Sequence, residues 1–167
     1  MTDLATARLA MPLLAAGQAG KELMHNEALA RLDMLVQPAV VAIGVNNPPA
    51  EPIAGQCWVV GPAPAGAWAG HAAALAGWTD GGWRFVGPRE GFSAWCISTA
   101  KPIAYHNGLW HEGDVSADRL MIGGLRVVGA RTAAIADPAG GTGVDEPARQ
   151  AIIAILGALR QHGLIAS

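Results

Sequence analysis

The chain has 167 residues, enough for one compact domain with decorations. A hydrophobic share of 51% beside 14% charged residues excludes an intrinsically disordered chain. Lys+Arg 11 against Asp+Glu 13, with no basic run, gives nucleic acid no electrostatic footprint to bind. So few charges on so apolar a chain point to surface hidden in an assembly, although Ala and Gly inflate the count. Cys57 and Cys96 each lie inside an apolar run, QCWVV and AWCIS, and read as buried free thiols rather than a disulfide framework. No stretch reaches the roughly 18 apolar residues of a membrane span, so no membrane partner is expected.

Residues 1–37 are helical in pattern. Arg8 ahead of LAMPLLAAGQA has the outline of a short secretion signal, but Pro12 interrupts the run and Asp3 weakens its basic start. From Gly20 onward, His25, Leu29, Leu32 and Val36 recur at the spacing of one helix face. Glu27 and Arg31 stand four apart in the favourable order, and Pro38 stops the helix.

Residues 38–129 are strand-like: short apolar runs (VVAIGV, QCWVVG, WRFVG, SAWCIS, PIAYH, LWH, LRVV) cut by Gly, Pro, Asn and Asp. The pattern predicts a compact antiparallel barrel or sandwich, so the fold class is mainly β with helical ends. Two hairpins are legible. Trp78-Thr79-Asp80-Gly81-Gly82-Trp83 and Tyr105-His106-Asn107-Gly108-Leu109-Trp110 place Asp-Gly and Asn-Gly where type I′ turns need positive φ. Trp78 should then face Trp83, and Tyr105 should face Trp110, as cross-strand aromatic pairs.

Residues 130–167 open with the punctuated stretch DPAGGTGVDEP. Pro147, with Asp145 and Glu146, suits a helix start, and Gly163 a helix stop. Ala148, Ile152, Ile155, Leu156 and Leu159 form one apolar stripe, too short for an independent coiled coil. The stripe must pack on the domain or on copies of itself, and copies are the expectation.

Motifs for chemistry are weak. Gly140-Gly141-Thr142-Gly143 lacks the lysine of a phosphate loop and reads as a linker. His106 and His111 share a strand face, but Glu112 points away and a catalytic zinc needs three ligands, so no metal or cofactor is expected. No nucleophile elbow is present, and the chain is read as non-enzymatic. What remains is aromatic: six tryptophans against two Phe and one Tyr. Trp58 and Trp95, each beside a cysteine, look internal. Trp68, Trp78, Trp83 and Trp110, near turns and glycines, together with His71 and Tyr105, are candidates for a ligand platform, with burial in a Trp-rich core as the competing reading.

The segment PLLAAGQAGKELMHNEALARLD (residues 12–33) resembles the opening of a domain-of-unknown-function family in alphaproteobacterial prophages and gene transfer agents. QCWVVG, GAWAGH, LAGWTDGGWRFVGPREG and the tail from IADPAGG onward are similar to the same group. Gly20 stands where a second Gln is usual, and Gln56-Cys57 where Asp with a basic residue is common. The resemblance implies a particle component, a head spike or tail fibre on the particle surface that attaches to the host, and places the N-terminal block in the mature protein. It makes His25, Asn26, Glu27, Leu29 and Leu32 candidates for an anchor to other particle proteins. The expected partner is the chain itself, as a trimer with a pentamer as the alternative, together with cell-surface polysaccharide. The rival readings are a carbohydrate-active hydrolase with a Trp-lined groove and a structural adaptor with every aromatic ring buried.

Overall fold

The structure, a computed structural model, describes residues 4–15, 17, 20–143 and 145–166. Among the described residues it is mainly β, with nine strands in three sheets and a helix towards each end. The chain divides into two units, residues 1–114 and 115–167. Ala16, Gln18 and Ala19, within the family-like opening block, and Val144, in the linker, lie outside the described residues.

In the first unit, helix α1 (Lys21–Leu35) follows a Gly20 with positive φ and ends in extended backbone at Val36, two residues before Pro38. Among the described residues, the helical pattern of the first 37 is realised only in this second half. Before it, the chain folds back on itself as a short strap, with Ala5 bridged to Pro12. The strap lies on α1, tied by side chains of the helix.

Seven strands form two open sheets. β1 (Ala39–Val40), β5 (Ser93–Cys96), β6 (Lys101–His106) and β7 (Leu109–Glu112) make one, in the order β1-β5-β6-β7. β2 (Cys57–Val59), β3 (Leu75–Thr79) and β4 (Gly82–Val86) make the other. The barrel alternative is not realised: among the described residues neither sheet closes on itself. One core joins the two sheets and α1 through Met34, Val40, Cys57, Val59, Leu75, Ala94, Cys96 and Ile103. A second core, around Trp58, Val60, Trp68 and Ala76, covers the other face of β2-β3-β4. That sheet is therefore buried on both sides, which explains why Cys57, Trp58 and Val59 are all buried in succession. Residues 41–45 run along the outer edge of β2, where Val41 N–H donates to the Cys57 carbonyl at 2.7 Å and Val45 bridges Val60. An otherwise open edge is thus covered.

Both expected hairpins form, with Trp78 opposite Trp83 and Tyr105 opposite Trp110. Their turns differ. Asn107 and Gly108 both take positive φ, 52° and 77°, as a type I′ turn requires. In the first hairpin neither Asp80 nor Gly81 does; Gly82 carries the positive φ at 95°. The left-handed residue has moved one place along, and the register is kept by a different backbone path.

The second unit contains β8 (Leu120–Ile122), β9 (Leu125–Val128) and α2 (Glu146–Gln161). The LRVV strand belongs here and not with the β-domain in which the sequence placed it. Asp145 caps α2 by accepting from Ala148 N–H at 3.1 Å, and Gly163 follows the helix with φ 71°. Two arginines on α2 hold the preceding stretch: Arg149 donates to the carbonyls of Pro138 and Gly140, and Arg160 pairs with Asp137 at 2.8 Å. Among the described residues of this unit only Leu156 and Ile165 are buried.

Candidate functional site

The sequence offered six platform candidates, and the structure separates them. Trp68 is wholly buried, so its place beside glycines does not expose it. It sits in a short 3-10 turn (Gly66–Trp68) that folds down onto β2-β3-β4. There it meets Trp58 and Trp83 with ring centroids 6.2 Å and 5.1 Å away. Trp78 and Trp83 are half-buried and extend the cluster, 4.9 Å apart and edge to face. His71 stacks on Phe85 at 3.7 Å, nearly parallel. Tyr105 and Trp110 pair at 5.5 Å, and the Trp110 indole N–H donates to the Ala73 carbonyl at 2.8 Å. These rings are mainly joints between elements.

Trp95 was read as internal because it neighbours Cys96. The structure reverses this: Trp95 is 47% exposed. β5 alternates, with Ala94 and Cys96 turned to the core and Ser93 and Trp95 to the outside. Trp58 is buried beside its own cysteine because its sheet is covered on both faces, whereas the β1-β5-β6-β7 sheet has a core on one face only. Strand parity carried the signal; the apolar run obscured it.

Following the register from Trp95 across that outer face gives Pro102, then Ser93, Ala104 and His111, then His106 and Leu109. The His106 and His111 rings stack at 3.7 Å and 7° from parallel. Asn107 Nδ2 lies 3.3 Å from His106 Nδ1, and Asp114 lies 3.4 Å from His111 Nδ1. Leu109 stands out from the turn, 66% exposed. The result is an outer sheet face with one indole, two stacked imidazoles and little charge. Such a surface stacks on apolar faces and donates or accepts single hydrogen bonds at its nitrogens. Among the described residues no three His, Cys, Asp or Glu side chains come together in metal-binding geometry.

The five anchor candidates on α1 also divide. Asn26 clamps the strap: its Oδ1 accepts from Leu14 N–H and its Nδ2 donates to the Leu14 carbonyl, both at 2.9 Å. Glu27 accepts from Arg84 of β4 at 2.6 Å and from Arg31 at 3.0 Å. Burial works against the Glu27 charge, but the hydrogen bonds from Arg84 and then Arg31 outweigh it and hold the carboxyl below its usual range. His25 and Leu32 are exposed and Leu29 half-buried. The face that carries His25, Leu32 and Val36 is thus the outer one. α1 buries Asp33 and Met34 and leaves Met24, at 82% exposure, and Leu32 and Val36 outside. Helical spacing identified an apolar stripe; Asp33 and Asn26 beside it hold the strap that precedes the helix, and Met34 on the far side enters the core.

A cavity of about 180 Å³ lies between strap, α1 and the first hairpin, lined by Arg8, Asn26, Asp33, Trp78, Asp80 and Arg84 among others. Its guanidinium and carboxamide groups are committed within the fold: Arg8 donates to the carbonyls of Asp33 and Gln37, and Arg84 to Glu27 and the Gly81 carbonyl. The cavity is thus a joint of the fold with its polar atoms largely satisfied.

Two open sheets and a strap-bearing helix define a β-rich protein. Residues 25–111, just over half of the chain, match the family described as Protein of unknown function (DUF2793), and the chain belongs to that family. None of the curated proteins matches it. Among the described residues no helix is long and apolar enough to cross a membrane.

Proposed function

We propose that the protein is a non-enzymatic structural component of a phage-like particle. It is made in the bacterial cytoplasm and carried on the particle surface in a head spike or tail fibre. It self-associates through its C-terminal unit, as a trimer with a pentamer as the alternative, and contacts host polysaccharide through its β-unit. The observation that carries this reading is the imbalance of the second unit. Leu156 is the single buried member of the Ala148–Leu159 stripe, while Ile152 and Ile155 are exposed. A helix in water keeps such a face only where something covers it. The likeness of residues 12–33 to particle proteins supplies the setting.

Two surfaces of the β-unit suit the remaining roles. The outer stripe of α1, with Met24, Leu32, Val36 and His25, serves as the anchor to other particle proteins. The outer sheet face, with Trp95 and the stacked histidines, serves as the polysaccharide platform in place of Trp68. A weak sugar contact becomes useful when several copies share one axis, because effective concentration raises avidity without new contacts.

Native mass spectrometry of the full chain tests the assembly, and tryptophan fluorescence titrated with host capsular polysaccharide tests the platform. The expected results are an oligomer and a saturable shift that W95A abolishes. A monomer at micromolar concentration rejects the assembly. An oligomer with no shift at high sugar concentration leaves a purely structural adaptor.

A further inference from the structure

The β8–β9 hairpin is an unfinished sheet. Gly123 and Gly124 turn it, both with positive φ, 56° and 79°. Ile122 faces Leu125, and Met121 faces Arg126. Leu120, opposite Val128, shares a face with Ile122. That face is wholly apolar, and the other holds the only charge in the two strands, on Arg126. Every residue of both strands is exposed, Leu125 to 73%. Among the described residues no third strand pairs with either edge. A two-stranded hairpin is marginal in water by itself, and an apolar open edge is a template for another strand.

We infer that β8 of one copy pairs with β9 of the next, so that hairpins from successive copies close into an intersubunit sheet around the assembly axis. The inference rests on the self-association proposed above and names the surface that directs it. Three observations select a second copy as the occupant. First, the hairpin carries six exposed large apolar side chains, and α2 adds Ile152, Ile153 and Ile155. Their combined surface is on the order of the 800 Å² per partner that a stable interface buries. Second, both edges of one hairpin are open, and each edge is the complement of the other. A two-fold pairing through a single edge leaves the outer edges unpaired, whereas head-to-tail closure leaves none. Third, the sheet has an apolar face to turn inward and a more polar one, with Arg126, to turn outward.

The fold supplies a convenient reporter. All six tryptophans lie at or before position 110, in the first unit, so their fluorescence reads that unit's folding independently of the hairpin. Both native cysteines are buried, so introduced thiols dominate mild oxidation. The test combines I122K/L125K with two chains that each carry one introduced cysteine, M121C and R126C, mixed after separate purification and reassembled. The variant I122K/L125K should keep wild-type tryptophan emission while its native mass falls by the copy number, about threefold for a trimer. The mixed cysteine chains should cross-link M121C to R126C in preference to either chain alone. A wild-type monomer overturns self-association and this inference together. A wild-type oligomer that survives I122K/L125K, or that cross-links only like to like, overturns the hairpin closure and leaves association through α2 standing.

Discussion

The Thr6 hydroxyl donates to Asp33 Oδ1 at 2.8 Å, 27 residues apart in sequence and both buried. The same carboxylate accepts from Arg8 N–H at 2.9 Å and Leu9 N–H at 2.7 Å. Three donors from one turn of the strap thus converge on the last turn of α1. Asp33 is the buried group around which the N-terminal strap is organised, and its carboxylate is satisfied by the strap's donors.

Removing that carboxylate leaves buried donors without a partner. D33A should lower unfolding free energy by about 2–4 kcal/mol, and T6V by about 1 kcal/mol. Chemical denaturation measures both, and a double-mutant cycle should give an interaction energy well away from zero. Additive effects would mean that the strap is held by something other than Asp33.

The Glu27–Arg84 contact ties α1 to β4 and has a defined pH dependence. Because the folded carboxyl titrates below its unfolded value, the contact's contribution is complete above the ordinary Glu range. It is lost as pH falls through the lowered folded value. Both side chains are partly exposed, so E27Q should cost no more than about 1 kcal/mol at pH 7. Stability curves of wild type and E27Q should converge under acid; a constant gap down to low pH would contradict the assignment.

Two glycines permit close approaches of different kinds. A Cβ on Gly61 would stand 2.3 Å from Asn46 Oδ1 and 2.6 Å from the Gly44 carbonyl oxygen. A Cβ on Gly77 would stand 2.7 Å from the Met34 Sδ and Cε. Backbone cannot yield as a thioether tip can. G61A should therefore destabilise more than G77A, whose cost should lie in the range of about 1–3 kcal/mol. The double variant G77A/M34A should lose less than the sum of the two single losses, and thermal melts of all four variants decide it.

The two thiols should be silent in the native protein. Burial pushes Cys57 up to about 11. At Cys96 burial opposes the thiolate, hydrogen bonds from Ser98 and Thr99 favour it, and the net direction is downward. Access, not acidity, then governs Cys96, because its side chain is fully covered. A disulfide reagent at pH 8 should label neither cysteine until denaturant is added, then both. Rapid native labelling of Cys96 would mean that β5 opens locally.

The sequence determined the local elements and the cross-strand pairs. Asn107-Gly108 set one hairpin turn, Pro38 bounded α1, and Asp145 with Gly163 bounded α2, because each acts through its own backbone within a few residues. Only the tertiary structure decided which faces are inside. Spacing showed that α1 has an apolar stripe, but Asp33 meeting the folded-back strap and Met34 meeting the sheets left that stripe outward. Adjacency made Trp58 and Trp95 look alike, and only the number of covered faces on each sheet separated them. Periodicity records the difference between two faces of an element; burial depends on what distant chain arrives to cover them, and no local pattern carries that information.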